Sequence, residues 1–128
     1  MTLKSLSMST IKFTAPIEPV PFPRPSSNGK RRYNPPRYTD FKEALGFYAK
    51  ITMDAEGRAP LQGAIKITLH VYKKIVPTAL TFGDWDNHGK AISDALQGIC
   101  FIDDKQIVEG HIYLHKGTPH IDIELEEL

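Results

Sequence analysis

The sequence predicts an α/β protein of the α+β kind, with one small β-sheet and two main helices in a single domain spanning residues 1–128. Three observations support this. Two stretches, beginning at Asp40 and at Asn87, repeat apolar residues at helical spacing. Shorter stretches alternate apolar and polar residues, as half-buried strands do. Glycine and proline punctuate the joins between them.

The first ten residues, MTLKSLSMST, lack an apolar run, so residues 1–9 are expected to be a flexible tail rather than a secretory signal. Ile11-Lys12-Phe13-Thr14-Ala15 alternates and predicts the first strand. Residues 16–38 then hold Pro16, Pro19, Pro21, Pro23, Pro25, Pro35 and Pro36, so a long irregular loop is expected there. Asp40-x-x-Glu43 has the form of a capping box and opens a helix that ends at Gly57. Phe41, Ala44, Leu45, Tyr48, Ile51, Thr52 and Ala55 are its expected core face.

Ile65, Ile67, Leu69 and Val71 alternate with Lys66, Thr68, His70 and Tyr72, predicting a strand with one face buried. Ile107–Leu114 and His120–Leu125 predict two more, joined by a turn at Lys116-Gly117-Thr118-Pro119. Lys73–Phe82 is expected to be an irregular link.

The whole-chain balance excludes several classes. A formal net charge of +1 gives no global attraction to nucleic acid, so any such binding must be local. One cysteine, Cys100, cannot form an intrachain disulfide and fits a reducing cytoplasm; between Ile99 and Phe101 it is expected to be buried and inert. No apolar run spans a bilayer. No P-loop is present, so no nucleotide cofactor is expected, and no Gly-x-Ser-x-Gly elbow is found. His111 and His115 lie about 13 Å apart along a strand and cannot share a zinc ion.

The local bias sits in the proline-rich loop. No acid stands between Glu18 and Asp40, whereas Arg24, Lys30, Arg31, Arg32 and Arg37 do, with Phe22, Tyr33 and Tyr38 among them. Basic residues with interleaved aromatics suit phosphate contacts and base stacking, which makes this loop the candidate DNA-binding segment.

The acids cluster elsewhere, in Gly83–Gln106. In an extended segment Asp84 and Asp86 would share one face, about 7 Å apart. Asn87 is then the expected cap of a helix with Ala91, Ile92, Ala95 and Leu96 on its apolar face and Gly98 just past its end. Lys90 would fall in the first turn, where a cation opposes the helix dipole. Ten helical residues advance about 15 Å, and Ile99–Asp103, if extended, returns about the same distance. That path would bring Asp103 and Asp104 level with Asp84 and Asp86. Carboxylates so gathered repel unless a cation joins them, and oxygen-only ligands select Mg²⁺, Mn²⁺ or Ca²⁺. An EF-hand is excluded, because Ala95 stands where its bidentate glutamate belongs. His88 is expected to be an exposed residue at the helix start.

Asp84-Trp85-Asp86-Asn87-x-x-Lys90-x-x-x-Asp94-Ala95-Leu96, followed by Asp103-Asp104-x-Gln106-Ile107, resembles the signature of the RusA family of Holliday-junction resolvases. Ile17-Glu18-Pro19-Val20-Pro21 and Tyr33-Asn34-Pro35 are similar to its phage and Gram-positive branch. The resemblance runs from about Ile11 to Leu125. It implies a mixed sheet flanked by helices, a homodimer in a bacterial or phage setting, and Mg²⁺- or Mn²⁺-dependent resolution of four-way DNA junctions by paired nicks. It implies that Asp84, Asp86 and Asp104 are the essential carboxylates and metal ligands, with Asp103 an acidic neighbour, and that Lys90 is the essential lysine. Asp94, one turn beyond Lys90, could hold that lysine. The family usually has leucine where this chain has His88. A nuclease acting on forks or flaps, or a DNA-binding module without catalysis, are the readings that compete with a resolvase.

Overall fold

The computed structural model describes residues 10–23 and 36–128. Its elements are β1 (Thr10–Ala15), α1 (Pro36–Ala55), β2 (Ile65–Lys73), α2 (Trp85–Leu96), β3 (Ile107–Lys116) and β4 (His120–Glu127). The four strands form one mixed sheet in the order β1-β4-β2-β3. β4 runs antiparallel to both β1 and β2, while β2 and β3 are parallel. Parallel neighbours need a crossover, and α2 lies within the one that joins β2 to β3.

One sheet face is the core. Ile65, Ile67, Leu69 and Val71 of β2 are buried beside Ile121, Ile123 and Leu125 of β4 and Ile11 and Ala15 of β1. The helices contribute Leu45, Ala49 and Met53 of α1 and Ala91, Ile92, Ala95 and Leu96 of α2. This is a two-layer α+β fold. The opposite face carries polar and aromatic residues. There a row of stacked rings runs from Tyr113 through His70, His115 and Tyr72 to His120. His70 Nδ1 and His115 Nε2 lie 2.9 Å apart in a hydrogen bond. His111 instead meets Glu109 at 2.7 Å.

The strands at β1, β2, β3 and β4 match the sequence expectation to within two residues at each end. The first helix does not. It starts at Pro36, so Asp40 lies inside it and is no cap, and the irregular loop ends before residue 38. Proline suits a first helical turn because its missing N–H would have no partner there. The earlier start rotates the buried face to Tyr38, Phe41, Leu45, Ala49 and Met53, leaving Ile51 and Ala55 exposed. The predicted strand at Ile99–Asp103 is also absent. The chain instead turns tightly after α2 at Gly98, whose φ is 86°, and returns a hydrogen bond from Gly98 N–H to the Phe101 carbonyl. Cys100 is buried as expected, and burial pushes its thiol up to about 12.

Leu69 stands at the centre of the sheet, 1% exposed. Leu69→Ala should therefore cost about 2–5 kcal/mol of unfolding free energy, read from urea denaturation, whereas Thr68→Ala on the other face should cost well under half of that.

Candidate active site

α2 carries the acidic signature, and its start is built on one carbonyl. After β2 the chain makes a single 3₁₀ turn at Leu80–Phe82. The Phe82 carbonyl accepts hydrogen bonds from Lys73 Nζ at 3.1 Å and from His88 Nε2 at 2.8 Å. A carbonyl can only accept, so His88 carries its proton on Nε2. The Phe82 ring packs edge-on to the His88 ring and lies 5.4 Å from Lys73 Nζ. Gly83 then takes a φ of 101°, and a Cβ there would stand 2.8 Å from both His88 Nε2 and Pro21.

His88 is 1% exposed, not the surface residue the sequence suggests. Its charged form is disfavoured chiefly by burial, despite the Phe82 hydrogen bond, and Lys73 nearby adds to the effect. Burial also lowers the Lys73 ammonium, partly opposed by Glu18. The buried His88 thus turns its polar edge onto a carbonyl that also holds a buried lysine.

The turn at Gly83 starts the helix earlier than expected. Asp84, not Asn87, occupies the N-cap position, and the His88 N–H bonds to the Asp84 carbonyl at 3.1 Å. Asp84 and Asp86 are therefore not two residues of an extended segment sharing one face. They lie at a helix N-terminus, where negative charge is favoured, and both are exposed. Between them the Trp85 indole donates to the Ile112 carbonyl of β3 at 2.8 Å, which pins this end of α2 to the sheet edge. Lys90 falls in the second turn, clear of the positive end of the dipole. Its Nζ lies 3.8 Å from Asp94 Oδ2 and 4.8 Å from the centroid of the Phe22 ring.

The second acidic pair belongs to the other end of the helix. Asp103 caps a single 3₁₀ turn at Asp104–Gln106, accepting the Lys105 N–H at 2.9 Å. Gln106 organises this turn. Its Oε1 accepts from the Ile102 and Asp103 amides, and its Nε2 donates to the Leu61 and Gly63 carbonyls. The Lys105 amide is the main reason that the Asp103 carboxyl sits below its usual range. Asp103 and Asp104 thus belong to one turn rather than to the end of a strand. The Asp104 amide bonds to Gln97 Oε1, just past the C-terminus of α2.

The expected convergence within one chain does not occur. Asp86 and Gln97 are separated by 11 residues of helix, about 16 Å. β3 gives a second, independent length. Ile112 is level with Trp85, and the strand needs about 16 Å to run there from Ile107, just beyond Asp104. Among the described residues no three Asp, Glu, His or Cys side chains stand close enough together to hold a metal ion. The donor chemistry suits a hard cation, but the single chain divides it into two halves, Asp84–Asp86 and Asp103–Asp104. Of the candidate DNA-binding residues, Arg37 is exposed in the first turn of α1, while Arg24, Lys30, Arg31 and Arg32 lie outside the described residues.

The family described as endodeoxyribonuclease RusA matches residues 16–126. The chain belongs to the RusA endodeoxyribonuclease family. Nearly its whole length is covered, including both acidic pairs, Lys90 and the proline-rich segment. No curated protein matches it. Among the described residues no helix is long and apolar enough to cross a membrane.

Residue reading assigned no role to Lys73, took Gln106 only as part of the family signature, and took Phe22 and Tyr38 only as aromatics among basic residues. One of these was legible, because Asp103-x-x-Gln106 has capping-box spacing. The others meet the site through long-range packing, which no local pattern records.

His88 gives a pH prediction. A histidine whose folded pKa is depressed contributes stability that is full above its unfolded pKa and is lost as pH falls through the folded one. Unfolding free energy should drop between about pH 7 and about pH 5, and His88→Leu should flatten that drop. Urea titrations at both pH values check it.

Proposed function

We propose that the chain is a homodimeric endonuclease that resolves four-way DNA junctions in the bacterial cytoplasm by paired nicks. In this reading Asp84, Asp86 and Asp104 are its essential carboxylates, with Asp103 beside them, and Lys90 faces the scissile phosphate. Arg24, Lys30, Arg31, Arg32 and Arg37 hold the DNA backbone by contacts that carry no sequence information. Membership of an endodeoxyribonuclease family supports the reaction class.

The observation that carries the rest is the division of the acids between the two ends of α2. A two-fold axis running beside the middle of that helix, perpendicular to it, would turn the Asp84–Asp86 end of one chain toward the Asp103–Asp104 end of its partner. Each catalytic centre would then draw on both chains, and a dimer would hold two centres, matching the two-fold symmetry of a junction. This revises the expectation that each subunit works with its own complete set.

The surface between the two ends suits such pairing. β3 is an edge strand, and Val108, at the irregularity where its register against β2 shifts, is 64% exposed. Beside the acids at either end, Trp85 is 52% and Ile102 56% exposed. The cation that the family implies, Mg²⁺ or Mn²⁺, would sit among the joined oxygens. Lys90 would act through its charge, stabilising negative charge that develops on the phosphate.

The experiment is cleavage of a synthetic four-way junction with Mg²⁺ and then with EDTA. Asp84→Asn, Asp86→Asn and Asp104→Asn should each lower the single-turnover rate by about 100-fold or more while leaving junction affinity within about threefold. Arg31→Ala with Arg32→Ala should do the reverse, weakening binding and flattening the slope of log K against log salt by roughly 0.9 for each phosphate that is no longer neutralised. Wild-type chain that cuts no branched DNA would overturn the reading.

A further inference from the structure

We infer that Phe22, Asp94 and Tyr38 are positioning residues that hold the Lys90 ammonium in place for the reaction, an inference that rests on the nuclease reading of this site. The four side chains close a ring of contacts. Lys90 Nζ stands 4.8 Å from the Phe22 ring centroid and 3.8 Å from Asp94 Oδ2. The Tyr38 hydroxyl donates to that same Asp94 oxygen at 3.3 Å. The Tyr38 ring meets the Phe22 ring edge to face, with centroids 5.4 Å apart.

Each member has an independent anchor. Tyr38 is buried, 1% exposed, in the first turn of α1. Asp94 lies one turn beyond Lys90 on α2. The Phe22 amide donates to the Asn87 carbonyl at 2.9 Å, which ties residues 16–23 to the start of the same helix. A free lysine tip samples many rotamers, and a ring on one side with a carboxylate on another restricts them. The Lys90 side chain is still 52% exposed, so a phosphate can approach its open side. Two elements remote in sequence therefore fix a residue on a third. Phe22 also sits two residues before Arg24, so the cradle adjoins the basic segment along the chain.

A merely structural role for Asp94 predicts a loss that is independent of Lys90, whereas a positioning role predicts one that vanishes with it. Single-turnover cleavage of a four-way junction at saturating enzyme should be measured for Asp94→Asn, Phe22→Leu and Tyr38→Phe, each with Lys90 present and with Lys90→Ala. Asp94→Asn and Phe22→Leu should slow cleavage by about tenfold and Tyr38→Phe by about threefold, with affinity nearly unchanged, and none should slow the Lys90→Ala chain further. Equal losses in both backgrounds, losses confined to affinity, or faster cleavage by Asp94→Asn would overturn the inference.

A readout without cleavage separates this from failure of the nuclease reading. In reductively ¹³C-methylated protein the Lys90 methyl signal, identified by its absence in Lys90→Arg, should lie upfield from the shielding Phe22 ring and return to the common lysine position in Phe22→Leu. A Lys90 signal at the common position in the wild-type chain would remove the cradle itself. An upfield signal in a chain that cuts no branched DNA would retain the cradle and overturn the function proposed for the site.

Discussion

Burial of one face of α2 is the constraint on which the functional surface depends. Ala91, Ile92, Ala95 and Leu96 are almost fully withdrawn from water against α1 and the sheet. Small alanines let the helix lie close, and the two large aliphatics supply most of the apolar area. With that face committed, the rest of the helix has no rotational freedom. Asp86, Lys90 and Asp94 must point where they do, and the two ends must stay one helix length apart. The Phe82 carbonyl, gripped by Lys73 and His88, fixes one end, and Gln106 fixes the turn beyond the other. Rigid elements are where a catalytic arrangement can be held closely.

Much of this was legible in the sequence because it is local. The alternation of Ile65 to Tyr72 gave β2 its faces, and the spacing of Ala91 to Leu96 gave α2 its buried side. The acidic signature singled out the residues that the family match also covers. What failed depended on a backbone detail or on packing. Gly83 at a φ of 101° lets the chain turn straight into a helix, so Asp84 moved from a strand to a cap. An apolar run at Ile99–Phe101 looked like a strand, but Gly98 folds it into a turn, which leaves Asp103 and Asp104 at the far end. His88 looked exposed because its partner, the Phe82 carbonyl, is a backbone group that no side-chain pattern reveals.

The divided acids change what the fold contributes to catalysis. Carboxylates gathered in one chain would repel throughout folding. Kept about 16 Å apart, the two pairs do not repel each other, and in the proposed dimer the demand for a counter-charge arises on assembly. Lys90 lies between the two ends, already partnered by Asp94 on its own helix. In the proposed dimer each centre draws on two chains, so activity becomes a property of the pair. The exposed Trp85 and Ile102, beside the acids at either end, fit that account.

The most direct measurement of this account is complementation between two inactive chains. Asp86→Asn and Asp104→Asn chains carrying different affinity tags are co-expressed, and the mixed dimer is purified through both tags. If each centre takes Asp84 and Asp86 from one chain and Asp104 from the other, one of its two centres is wild type in every residue. The account predicts that this mixed dimer nicks one strand of a four-way junction at about half the nicking rate of the wild-type dimer, although each parent alone is inactive. A mixed dimer as inactive as its parents would contradict it, because centres contained within single chains leave each subunit with one lesion.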